Sequence, residues 1–496
     1  MKKISTFIIV LMSTTLMHGQ SVFDALRYSR FQSQGSARFI GMGSSMGALG
    51  GESSSITINP AALGVYRNSE FTISSAFNFT SSNGQLLNNS ISQGSLNFNI
   101  PNISYIQTYN GDVDGWKKYG FALGHNRTST FQSDYRLNGQ SMNTASIIDD
   151  YVSILNSDQA SISAVEDYAY NLGPSQAYYQ FLINPDGNFA NRYVRIGDID
   201  NTSSIERTKV VERTGSQSET YFSFGGNYQD KLHLGGSIGL QSFSFEERTQ
   251  YAEFFNYTPV AQPSDSLLDS YYETSELITS GTGVNLKLGF IYRINEALRL
   301  GGALHSPTFF GLRENFAFDT ETQYSDGEFF DSEQQNFEFE YRLRTPLRLI
   351  GSLGYVLQQK AAFNLEYEYV NYGNARFDDK PSFNSDFSID NQFIQEILTN
   401  THNIRFGTEI RLDPFVARAG FRYEDNPFVN GLSIGHDESR KTYTLGGGLR
   451  NNNFNLDIAY SLSQMTIRDG LFNNSRETGN INQTIHQLVF TVGWRW

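Results

Sequence analysis

His486-Gln487-Leu488-Val489-Phe490-Thr491-Val492-Gly493-Trp494-Arg495-Trp496, the last eleven residues, alternate in polarity. Leu488, Phe490, Val492, Trp494 and Trp496 share one face. Gln487, Thr491, Gly493 and Arg495 share the other, with Val489 the exception. Period two over this length fits a tilted strand that crosses a membrane. In a water-soluble sandwich the same face would leave Trp494 and Trp496 against solvent.

Composition agrees with a chain of strands. Of 496 residues 14% are aromatic and only 18% charged, against a usual ~25% charged. Mean hydropathy is −0.40, which excludes a bundle of membrane helices. Past residue 20 no run approaches the ~20 apolar residues that a spanning helix needs. With no Cys there is no disulfide framework, thiolate metal site, iron–sulfur cluster, Cys nucleophile or acylated lipoprotein anchor. A net charge of −14 argues against nucleic acid as a partner. At the start, Lys2 and Lys3 precede a mostly apolar stretch from Ile4 to Met17, broken by His18-Gly19-Gln20. Residues 1–20 read as a secretory signal peptide, so the mature chain is expected in the cell envelope.

Alternating segments recur between the two ends. Candidate strands lie at 70–80, 95–109, 117–128, 219–229, 231–247, 279–293, 297–305, 337–356, 360–371, 402–412, 414–424, 440–450, 453–465 and 484–496. Fourteen is an even number, as single-chain bacterial barrels require. The connectors alternate between a few residues and long polar stretches, the latter near 81–94, 129–218, 248–278, 306–336, 372–401, 425–439 and 466–483. This sorting predicts a bacterial outer-membrane barrel with short periplasmic turns, long extracellular loops and both termini periplasmic. The 129–218 insert is too long for a structureless loop. Helical periodicity at 146–155 and 161–170 predicts a partly helical extracellular cap, rich in Tyr and Phe.

Parity then sorts the charges. Arg418, Gly420 and Arg422 share one face of their segment, and Ala417, Ala419, Phe421 and Tyr423 the other. An Arg in contact with lipid costs roughly 2–4 kcal/mol at mid-bilayer, so the Arg face must point inward. Arg405, Arg411, Glu366 and Glu368 are expected to join it. Such groups either satisfy one another or line a substrate or water path. No catalytic set emerges: the histidines are scattered, and there is no Gly-x-Ser-x-Gly or His-Glu-x-x-His. The expectation is no enzyme, no metal and no cofactor.

Residues 35–64, GSARFIGMGSSMGALGGESSSITINPAALG, do not read as strand. Their density of small residues permits close backbone approach, and a fourteen-strand barrel has a lumen to fill. Residues 21–68 are therefore expected to form a hatch, followed by the barrel at 69–496. Gly41-Met42-Gly43, Gly47-Ala48 and Asn59-Pro60-Ala61-Ala62-Leu63 resemble the hatch of the FadL-type outer-membrane family of long-chain fatty acid and toluene transporters, in a Bacteroidetes-like form. Ile100-Pro101-Asn102-Ile103-Ser104-Tyr105, Leu300 to Pro307, Arg418 to Tyr423 with Pro427, and Leu456 to Tyr460 resemble further pieces of it, in order. Outer-membrane barrels also resemble this chain in ending on an aromatic strand, which makes Trp494 and Trp496 the signal for the barrel-insertion machinery.

The resemblance implies passive uptake of long-chain fatty acids or other hydrophobic molecules past an occluding hatch, with exit to the periplasm or sideways through a wall kink. Pro101, which has no N–H to donate, is the candidate for that kink. The implied partners are a hydrophobic small molecule or lipid, outer-membrane lipids and the insertion machinery. An alternative is a non-transporting barrel of this type that serves as an accessory subunit of a secretion or assembly complex, with other outer-membrane proteins as partners.

Overall fold

The computed structural model describes residues 22–496 except 112, 143–144, 258–266, 359, 380–385, 430–436, 452, 473–474 and 476. Residues 1–20, expected to be a signal peptide, lie outside the described residues.

Alternation builds fourteen barrel strands. They are β1 (Glu70–Leu86), β2 (Asn89–Asn110), β3 (Trp116–Thr130, continued by Ser133–Ser141), β4 (Thr202–Tyr228), β5 (Leu232–Tyr257) and β6 (Leu268–Arg293). Then come β7 (Leu298–His305, continued by Phe309–Tyr324), β8 (Gln335–Arg344, continued by Arg348–Leu357), β9 (Ala361–Asn371) and β10 (Asn400–Leu412). The last are β11 (Phe415–Glu424), β12 (Arg440–Arg450), β13 (Phe454–Gly470) and β14 (Thr478–Arg495). Each pairs antiparallel with its neighbour in sequence. β1 then pairs with β14, from Glu70↔Arg495 to Gln85↔Asn480, which closes the ring. Outward positions are apolar and exposed, among them Phe77, Leu123, Phe222, Leu240, Leu288, Leu353, Ile404, Leu445, Ile458 and Phe490. Inward neighbours such as Asn78, Asn364, Glu366 and Thr444 are buried. An apolar exterior around a polar interior is the inverse of a soluble protein and fits a barrel that spans the outer membrane. Leu445→Arg, near the middle of β12, should therefore lower folding stability in lipid bilayers by ~2–4 kcal/mol in a denaturant titration. No loss would take this face out of the hydrocarbon.

Several expectations are corrected. The connector expected at 81–94 is the upper part of a hairpin, turning at Leu87, which has φ of 52°. Much of 129–218, 248–278, 306–336 and 466–483 is also strand, because β3 to β7, β13 and β14 run well past the apolar belt. These extensions carry many polar residues on both faces, so they lack the contrast that marks a membrane strand, yet they still pair. The single strand expected at 337–356 is two pieces. The break at Thr345-Pro346-Leu347 lies against Ser306-Pro307-Thr308 of β7, and Thr345 N donates to Thr308 O at 3.0 Å. Neither proline has an N–H for the ladder.

The insert between β3 and β4 is partly helical, as expected. It holds α3 (Ile147–Ser157), α4 (Ile162–Glu166) and α5 (Pro174–Tyr179), numbered after α1 and α2 of the N-terminal segment described below. Ser146 and Asp149 form a capping box at the start of α3. The second helix is shorter than the 161–170 period implies, and Tyr168 takes φ of 57° just beyond it. Ile148, Leu155, Val165 and Leu182 pack onto Tyr251, Tyr271 and Ile481 at the strand tops. Tyr168, Tyr179 and Phe181 remain exposed on the cap, with Tyr168 stacked on Tyr179 at 5.0 Å.

One further correction concerns the termini. Trp496 lies at the short-turn end, where its N–H donates to Ser69 O. The first described helix, α1 (Val22–Ser29), lies at the long-connector end, where Phe23 meets Phe428 and α1 packs beside α6 (Ser388–Ile397). The two described ends are thus on opposite sides, because residues 30–66 run down through the barrel.

Candidate functional site

The interior is built by backbone lying on backbone. Residues 30–66, with α2 (Ala37–Gly41), cross the lumen as an inner segment whose Ala, Met and Ile side chains are almost fully buried. Where it touches the wall, the wall carries glycine. Gly120, Gly225, Gly235 and Gly289 are successive register partners across β3 to β6. Leu63 lies on Gly120 and Gly225, Pro60 on Gly235 and Asn59 on Gly289. A second row runs Gly354, Asn364, Gly407 and Gly420 across β8 to β11. Ala48 lies on Gly354, Met42 on Gly407 and Gly43 on Gly420. Gly43 has φ of +62°, and a Cβ there would lie 2.6 Å from Phe406 O.

Each candidate hatch residue has a place in this contact. Gly41 faces Gly446, and Gly47 N donates to Glu366 Oε2 at 2.9 Å. Asn59 caps the turn Pro60–Val65, accepting from Ala61 N. Its Nδ2 donates to Gly47 O at 2.7 Å and to Phe290 O at 3.0 Å, which ties two parts of the segment to β6. Met42, Ala48, Pro60 and Ala61 are buried.

The inward charges form separate clusters, each of which holds the inner segment. Arg405 pairs with Glu366 at 2.8 Å and Glu368 at 3.1 Å, and Glu366 also receives Gly47 N. Arg348, paired with Glu368, donates to Ser29 O. Arg422 donates to Ser44 Oγ at 3.0 Å. Glu409 receives Arg38 of the inner segment at 2.9 Å, Arg418 at 2.8 Å and Arg450 at 3.3 Å. Arg405, Arg418 and Arg422 are buried, whereas Arg411 sits at the strand end with its side chain 40% exposed. Glu52, buried, accepts from Ser36 Oγ and from Ser55 N at 2.8 Å, which ties α2 to the turn after it. Lys287 adds a pair absent from the expected set, with Glu219 at 2.5 Å and Thr57 O at 3.0 Å.

Above the inner segment lies an aromatic chamber. Phe131, Phe243, Phe245, Phe310 and Tyr341 surround Val22, Leu26 and Tyr28 of α1, which fills it. Tyr28 OH donates to Thr279 Oγ1 at 3.1 Å. Beside the chamber the wall parts. The β2–β3 ladder runs from Asn110↔Lys118 up to Asn102↔Asn126 and stops, so residues 89–101 of β2 pair only with β1. Pro101 marks the point, opposite an irregularity between Ser74 and Ala76 of β1. The abandoned edge of β3 is met instead by the inner segment: Gln32 N donates to Thr128 O at 2.9 Å, and Ser129 Oγ to Arg30 O at 3.0 Å. Above the break β3 continues inward, where Leu137 touches Gly84 and Gly479.

At the other end, a cavity of about 1250 Å³ separates the inner segment from the short turns. Trp494 and Trp496 point outward near this rim, in contact with Phe71 and Tyr105. Deleting Trp496 should cut the assembled, heat-modifiable fraction of the barrel several-fold on a gel, and an unchanged fraction would remove it as a signal. Among the described residues no group of three or more His, Asp or Glu could hold a metal ion. In the short helical turn Gly197–Asn201 that precedes β4, Asp200 is held by Arg195.

A closed fourteen-strand barrel with its N-terminal segment inside the lumen defines a class of outer-membrane barrel folds. The particular fold is that of the FadL type. The chain matches a Pseudomonas aeruginosa FadL homologue over 94% of its own length and 99% of that chain, at 11% identity and a TM-score of 0.56. It matches the Pseudomonas putida toluene transporter TodX over 93% and 99%, at 12% identity and a TM-score of 0.50. No family model and no curated protein matches the sequence.

Proposed function

We propose that the chain carries hydrophobic small molecules, long-chain fatty acids among them, passively across the outer membrane. The cap would face outward and the short turns the periplasm, with the inner segment as an occluding hatch. The observation that carries this reading is the parted ladder at Pro101. There the wall lacks strand-to-strand pairing beside the aromatic chamber, and Leu96, Phe98 and Ile100 present an apolar flank to lipid. Unpaired backbone is not tolerated against hydrocarbon, so this edge needs cover from the inner segment or a passing ligand. In this reading α1 holds the chamber closed and withdraws when ligand enters. Likeness in fold to structures named as a FadL homologue and a toluene transporter supports it.

The test is purification of the mature chain in mild detergent, with mass spectrometry of whatever stays bound. Apolar molecules in stoichiometric amount are expected, and a variant lacking residues 22–29 should retain more of them. A reproducible set of envelope proteins with no small ligand would overturn import. It would support the second reading, an accessory subunit of a secretion or assembly complex. That reading is favoured by a chamber already filled with α1 and by the exposed Tyr168, Tyr179 and Phe181 on the cap.

A further inference from the structure

The cavity at the short-turn end has a charge imbalance that the inner segment does not use. Eight cationic and four acidic side chains line it. Two of the acids are taken: Glu409 by Arg38 and Arg450, and Glu70 by Arg495 at 2.7 Å. A third, Asp230, accepts from Asn227 at 2.7 Å, although its charge still reaches Arg293 through space. The fourth, Glu296, is exposed on a turn. Among the described residues Arg67, Lys231, Arg293 and Arg299 have no carboxylate within ion-pair distance.

Two of these cations are forced together. Arg293 ends β6, Arg299 is the second residue of β7, and they are direct register partners. Like charges directly opposite on adjacent strands destabilise the pair unless something neutralises them. Both Nε atoms are buried without a hydrogen-bond partner. Arg299 is aimed by its other end, since Nη1 donates to Leu49 O of the inner segment at 3.0 Å. Arg293 N donates to Lys231 O at 2.7 Å, which sets the Lys231 turn beside the pair. Two guanidinium forks, each with an unpartnered Nε–H, at the wall of this cavity match the geometry of an oxyanion.

We propose that this vestibule binds the carboxylate or phosphate group of a small molecule, gripped between Arg293 and Arg299 with Lys231 and Arg67 at its rim. The site is independent of the import reading, since a free periplasmic anion and the head of an emerging amphiphile carry the same chemistry.

The experiment is calorimetric titration of the full mature chain in a neutral detergent. The probes are inorganic pyrophosphate, citrate, and dodecyl phosphate below its micellar concentration. Wild type should bind at least one probe, more weakly as salt rises. R293Q/R299Q should lose at least about tenfold in affinity, as expected for removal of charge-assisted bonds. Arg313→Gln, an exposed residue on the far extension of β7, should bind like wild type. Lys231→Gln should weaken binding as well, and because Lys231 lies in an exposed turn it reports even if the double variant does not assemble. Binding of pyrophosphate or citrate identifies a site for free anions, and binding of dodecyl phosphate alone a site for an amphiphile head. No binding of any probe, or affinity unchanged in the double variant or in Lys231→Gln, overturns the proposal.

Discussion

Gly420→Val is expected to turn a closed barrel into a conducting one. A Cβ at Gly420 would lie 2.6 Å from Gly43 Cα and nearer still to Gly43 N, in a contact of backbone on backbone with no flexible side chain to yield. Overpacking of this kind typically costs about 1–3 kcal/mol, and the part free to move is the inner segment, since β11 is paired on both edges at Gly420, with Gly407 and with Thr444. In planar bilayers wild type should be nearly silent, and Gly420→Val should show long-lived open states. Cells that express it should become sensitive to large polar antibiotics. Gly351→Val is the matched control, because Gly351 faces outward and an added Cβ there meets nothing within 4 Å. Equal conductance in Gly420→Val and wild type would mean that the inner segment does not occlude the path.

Glu409→Gln should be the most destabilising single change of charge. Its carboxylate, 2% exposed, is shared by Arg38, Arg418 and Arg450, with Arg411 farther off at 3.8 Å, and among the described residues only Arg418 of these has a second acid in an ion pair, Asp457 at 2.6 Å. Removing one partner of a buried pair costs on the order of 3–5 kcal/mol, because the remaining charges are left uncompensated. The double variant R38Q/E409Q should lose less than the sum of the two single changes, as groups in one network do. Denaturant titration of the four proteins in the same lipid measures both effects. Additive losses would show that Arg38 does not latch the inner segment through Glu409.

The barrel was legible because membrane strands contrast in polarity from one face to the next, and that contrast survives without an alignment. HQLVFTVGWRW shows it in eleven residues, down to the exception: Val489 points inward and packs with Ile40 and Met46 of the inner segment. The inward side of Arg405, Arg418 and Arg422 followed from the same parity. The strand extensions were missed where the rule runs out. In Glu206-Arg207-Thr208-Lys209-Val210-Val211 both faces are largely polar, so a paired strand reads as a loop. Glu409 was legible in principle, since it shares parity with Arg405 and Arg411. Helix α1 was not, because eight residues carry too little pattern. The glycine rows need strands levelled against one another by their short turns, which a reading along one chain does not do.

The glycine rows also change what an empty barrel would be. A wall that has given up side chains where another stretch of the same chain rests against it cannot fill those places itself. Stripped of residues 30–66, it would be left with hollow bands at two heights and with the carboxylates of Glu366 and Glu409 short of a donor. The inner segment is thus expected to act as a mandrel, a form around which the sheet is rolled. Changes in it should be felt during assembly, before any solute arrives.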